Sequence, residues 1–99
     1  MTVRIALPDA LAAVTGGEHE VLVDLADGNG TSATTVTRLF DQLGAQLPIL
    51  ERRVRDERAE VRRHVNVYVD GVDIRTLAGG DTPVPDGALV QIIAAVSGG

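Results

Sequence analysis

The sequence predicts an α+β domain in which a mixed sheet of four to five strands packs on one main helix. Three stretches carry the prediction. "TVRIALP" and "HVNVYVDG" alternate apolar and polar side chains with the period of two that a half-buried strand requires. "TTVTRLFDQLGAQL" places Val36, Leu39, Phe40, Leu43 and Leu47 on a single stripe of a 3.6-residue period, so one helix has one face to bury. With 99 residues and 44% hydrophobic content the chain can build one core and has no room for a second.

Taken in order, Val3, Ile5 and Leu7 face one way in a first strand over residues 2 to 7, which Pro8 closes. An Ala-rich connection ends at Thr15-Gly16-Gly17, where glycine supplies the positive φ of a turn, and "EVLVDL" returns with Val21, Val23 and Leu25 on one side. The loop "DGNGTSAT" leads to Ser32 or Thr34 as the cap of the main helix, and that helix stops before Pro48, which has no N–H to donate. Residues 49 to 63 read as a second, weaker helix anchored by Leu50, Val54 and Val61. Val65, Val67 and Val69 then alternate in the clearest strand of the chain, stopped by a tight Asp70-Gly71 turn. A short helical turn is expected around Ile74 to Leu77. "ALVQIIAAV" closes the domain, with Val90, Ile92 and Ala94 toward the helix and Leu89, Gln91, Ile93 and Ala95 outward. Two hairpin strands, one helix and two further strands compose a ubiquitin-like β-grasp, with the final strand in the middle of the sheet beside the first. A ferredoxin-like sandwich would need a second fully amphipathic helix, and 49 to 63 is too polar for that part.

Composition narrows the function. Without cysteine there is no disulfide, thiolate metal site or cysteine nucleophile, and without lysine there is no Schiff-base chemistry or self-linkage through a lysine amine. A net charge of -5, with Tyr68 and Phe40 as the two aromatics, argues against a nucleic-acid surface. Charge is unevenly placed: "ERRVRDERAEVRR" holds six arginines against four acids, while the rest of the chain holds three against ten. Pairs such as Glu51 with Arg55 and Glu57 with Arg53 would make that strip a solvated helix face. A docking strip is the alternative. No stretch has the length of a membrane helix and residues 1 to 15 lack a cleavable leader pattern, so a cytoplasmic protein with no membrane partner is expected.

"HVNVYVDGVDIR" followed by "PDGALVQIIAAVSGG", together with "LPDALAAVTGG" near the start, resembles the MoaD/ThiS superfamily of ubiquitin-like sulfur carriers, and within it the CysO-type members. The resemblance covers nearly the whole chain and is weakest over 26 to 63. It implies a β-grasp body over residues 1–96 and a flexible diglycine tail over 97–99. It also implies a cycle in which an E1-like enzyme uses ATP to adenylate the Gly99 carboxylate. A sulfur donor then displaces AMP to leave a thiocarboxylate, and a second enzyme takes the sulfur. The chain itself would bind no cofactor and carry no catalytic residue. Where the family often writes proline before its tail, this chain has Ala94-Ala95-Val96, which leaves the exit without proline's fixed φ.

The residue chemistry fits that cycle. A reacting carbonyl that must be threaded into another protein needs a slender end, and Gly98 and Gly99 have no Cβ. Extended, Ser97 to Gly99 reach about 10 Å. Leu89, Ile93 and Val96, with Tyr68 beside them, form the expected apolar docking patch, Ile93 foremost. The expected partners are the E1-like adenylating enzyme and a sulfur-accepting enzyme, either cysteine-synthase-like or the large subunit of molybdopterin synthase. A permanent molybdopterin synthase subunit, a ubiquitin-like protein modifier and a binding module with an inert tail are the competing classes. His19 and His64 stand 45 residues apart without clustered ligands, "GGDTPVPDG" lacks the lysine of a phosphate loop, and Ser32 and Ser97 lack a base, so none of them builds a metal, nucleotide or nucleophile site.

Overall fold

A computed structural model describes residues 1–25 and 33–94. β1 (Thr2–Ala6) and β2 (Glu20–Asp24) form an antiparallel hairpin, joined by a short helix α1 (Asp9–Ala12) and a 3-10 turn, Ala13–Thr15. Thr15 builds the return: its hydroxyl donates toward Ala12 O and Glu18 O and accepts from Glu18 N, while Gly16 and Gly17 take φ of 80° and 99°. The expected Ala-rich connection is thus partly helical, and Leu11 and Ala12 are buried by it.

The main helix α2 spans Val36–Gln46, with Val36, Leu39, Phe40 and Leu43 buried as the stripe requires and Leu47 partly buried just beyond it. Its cap is neither Ser32 nor Thr34. Thr35 Oγ1 accepts from Arg38 N at 3.2 Å, and Val36 N donates to Thr82 O. Thr34 instead lies in a short strand β3 (Ala33–Thr35) paired antiparallel with β6 (Pro83–Pro85), so its backbone is committed to a ladder. Ser32 lies outside the described residues. This two-stranded sheet pins the helix N-terminus to the 83–85 segment, a contact no local pattern announces.

After Leu47 the chain turns directly into α3 (Pro48–Val54), with Pro48 at its first turn, where a missing N–H costs nothing. The helix expected over 49 to 63 therefore ends nine residues early. Its anchors Leu50 and Val54 are buried, but Asp56 captures the Arg58 and Glu60 amides with one carboxylate oxygen, and Ala59 is forced to φ 62°. Arg55 and Val61 close this turn as an isolated bridge. The Glu51–Arg55 pair forms, whereas Glu57 falls beyond the helix, so its spacing from Arg53 has no helical meaning.

β4 (Val65–Val69), β5 (Val72–Asp73) and β7 (Leu89–Ala94) complete a five-stranded mixed sheet in the order β2-β1-β7-β4-β5, with β7 parallel to β1 and antiparallel to β4. This is the predicted β-grasp. The β4–β5 turn has Asp70 at φ 49° and Gly71 at φ 86°, the paired positive φ values of a two-residue hairpin turn. Asp70 also reaches across to β7: its N–H donates to Leu89 O and its carboxylate accepts from Leu89 N. Val3, Ile5, Val23, Val65, Val67, Val90 and Ile92 face α2 and α3 at or near zero exposure. No helix among the described residues is long and apolar enough to cross a membrane.

Candidate docking face and chain exit

Because inward positions alternate with outward ones, the same strands that fill the core must present a second face. Along β7 that face carries Leu89, Gln91 and Ile93. The register places Arg4 between Leu89 and Leu22, Gln91 between Ala6 and Tyr68, and Ile93 beside Asn66. Tyr68 is thus the diagonal neighbour of both Leu89 and Ile93, within reach of either. Ile93 is 45% exposed and Leu22 is 60% exposed, while Leu89 and Tyr68 are half-buried. Three of the four expected docking residues therefore share one open face of the sheet. Val96 lies outside the described residues, as do Ser97, Gly98 and Gly99.

Leu22 escaped the sequence reading. Its place opposite Arg4 follows only from the hairpin register, and its neighbours Val21 and Val23 drew the apolar assignment to the inner face. Arg75 is a second residue with no local signal. It reaches beyond two-residue β5 to the uncovered edge of β4, where Nη2 donates to Val65 O at 2.8 Å and Arg62 O at 3.3 Å, and Nη1 donates to Asn66 Oδ1. Val65 is the register partner of Ala94, the last described residue. The last described residue of the central strand thus lies beside a neighbour held by a guanidinium.

Other polar clusters are smaller. His19 Nε2 lies 2.7 Å from Asp9 Oδ1, both side chains exposed, and among the described residues no group of three His, Cys, Asp or Glu is placed to hold a metal. Asp56 is held below the ordinary aspartate range, first by the Glu60 amide and then by that of Arg58.

Residues 20–99 match the ThiS family. The chain is a member of that family. It stands in the MoaD/ThiS superfamily of ubiquitin-like sulfur carriers, near the CysO-type proteins. The sulfur carrier protein CysO of Mycobacterium tuberculosis is 31% identical over 101 residues, covering 100% of each chain. A chain of the Amycolatopsis orientalis BexX/CysO complex superposes with a TM-score of 0.79 at 31% identity, over 98% of this chain and 99% of that one. SAMP1 of Haloferax volcanii gives a TM-score of 0.79 at 28% identity over 100% of both. These relatives span the body described above.

Proposed function

We propose that this ThiS-family chain is a sulfur carrier, and not itself a catalyst, whose Gly99 carboxylate is activated and charged with sulfur. A carboxylate is a poor electrophile. An E1-like enzyme would let one of its oxygens attack the α-phosphorus of ATP, expelling pyrophosphate, and the acyl adenylate would then lose AMP to an incoming sulfur nucleophile. The product is a thiocarboxylate, whose sulfur leaves to a second enzyme. Each step belongs to a partner, and the carrier's part is to present a slender chain end beside a docking surface.

The observation that carries this reading is the course of β7, a central strand with Leu89 and Ile93 on its open face that leads into the residues ending in Gly98-Gly99. Leu22, Leu89, Tyr68 and Ile93, interleaved with Arg4 and Gln91 on the open face, would seat the activating enzyme, because exposed apolar and aromatic side chains gathered on one face suit an interface. Full-length similarity to the sulfur carrier protein CysO supports the carrier role, and the acceptor we propose is a cysteine-synthase-like enzyme.

The test is intact-mass spectrometry after incubation with a cognate activating enzyme, ATP and a sulfur source. The mass must rise by the difference between one sulfur and one oxygen, and must not rise when Gly99 is deleted. No change with an enzyme shown to charge another carrier would refute the proposal. The similarity to SAMP1, a small archaeal modifier protein, favours a second reading, in which the activated end is passed to lysines of other proteins. Tail-dependent, thiol-resistant conjugates on blots from cells would select it.

A further inference from the structure

On the helix side of the sheet, away from the docking face, a cavity of about 280 Å³ opens between the start of α2, the 55–61 turn and the Gly79–Asp81 turn. Its apolar wall is formed by Val36 and Phe40 from α2, Val67 from β4, and Ile74. Two arginines, Arg55 and Arg75, line it as well.

Arg55 is an unusual wall. The residue is 5% exposed, and its fork is divided among separate tasks. Nε donates to Glu51 Oε2 at 2.7 Å, Nη2 donates to Asp41 Oδ1 at 3.0 Å, and the guanidinium carbon sits 5.8 Å from the Phe40 ring centre. Nη1 is buried and, among the described residues, donates to no protein group. Buried donors are nearly always partnered, and this one belongs to a residue that lines a cavity. Arg75 adds charge. Its recorded bonds go to neutral oxygens, those of Asn66, Arg62 and Val65, so no carboxylate neutralises it among the described residues. Glu60 also lines the cavity but is exposed, and its carboxylate is able to turn to water.

We propose that this cavity is a binding site for a small carboxylate with a compact apolar body. The head would accept from Arg55 Nη1 and face the Arg75 charge, while the body would rest on Val36, Phe40, Val67 and Ile74. The volume lies just below the usual range of ligand pockets, about 300 to 1,000 Å³, so the ligand is a few carbons across. Arg55 cannot supply the selectivity for charge, because Glu51 and Asp41 already offset it. Arg75 does so.

The experiment is a ¹⁵N NMR titration of the full chain with butyrate, 3-methylbutyrate and benzoate at fixed pH and ionic strength, with butyramide as the neutral counterpart. Saturable shifts should gather at Thr37, Gly80 and the Arg55 Nε–H, with millimolar affinity for the acids. Arg75→Gln, an exposed substitution, should weaken the acids by about tenfold, while Arg38→Gln, outside the cavity, should leave them unchanged. Three results would overturn the proposal: shifts that are linear and scattered, equal affinity for butyramide, or a long-lived water on Arg55 Nη1 that saturating acid does not displace.

Discussion

Replacing Arg55 with methionine tests whether the charged 51–63 segment is a solvated surface or part of the core. Arg55 and Glu51 are 6% and 13% exposed in their side chains and meet at 2.7 Å, so the pair is largely dry. Asp41 is 61% exposed, and its bond to Nη2 is a surface interaction of about 0.2–1 kcal/mol. Removing one partner of a buried pair costs about 3–5 kcal/mol, because the other charge stays behind without water or counterion. Glu51 keeps a little solvent, so we place the loss for Arg55→Met at about 3 kcal/mol. For a domain of this size each kcal/mol is worth about 4–8 °C, and the melting temperature should fall by more than about 12 °C. Adding Glu51→Met removes the stranded carboxylate, and the unbranched side chain can follow the path that Glu51 Cγ takes over Gly44. The double variant should recover most of the loss. Urea unfolding followed by circular dichroism measures both. A loss under about 1 kcal/mol for the single variant, or a double variant no more stable than the single, would show that the pair is solvated and the reasoning wrong.

Three further outcomes are expected. Ile93→Asp puts a charge on the open face without touching the core, so the melting temperature should stay within a few degrees while charging by the activating enzyme falls severely; normal charging would remove Ile93 from the docking face. Ala59→Gly relieves a left-handed alanine that costs about 1–2 kcal/mol, and after glycine's own entropy cost should raise stability by about 0.5–1 kcal/mol in denaturant unfolding. Asp56, whose folded pKa is depressed, contributes stability that is complete above its unfolded pKa and lost as pH falls through the folded value. A carbon-detected NMR titration should place its midpoint below that of an aspartate in an unstructured peptide, and Asp56→Asn should flatten the acid limb of the stability profile.

Most of the sheet was legible because its signal is local. Val65, Val67 and Val69 cannot all be buried unless that segment is extended, and Asp70-Gly71 can supply the two positive φ values that end it. The β7 assignment rested on the same alternation, and its outward apolar side chains could be read as a second face. The 49–63 segment misled because alternating Arg and Glu suit a helix by propensity and by i,i+4 pairing, whereas one carboxylate, that of Asp56, takes up the amides that would have continued it. β3 and β6 are three residues each, too short for any period, and exist because they meet.

The amino-acid order alone thus settled the fold class, the helix stripe and the strand alternation, since each is a property of neighbours along the chain. Tertiary structure decided which outward residues stand together, as with Leu22 beside Arg4 and Tyr68 diagonal to Ile93, through strand register. It also decided that Arg55 is buried with one nitrogen unpartnered among the described residues and that Arg75 closes an open sheet edge. Register and long side-chain reach depend on segments tens of residues apart, and no local spacing encodes where such segments meet.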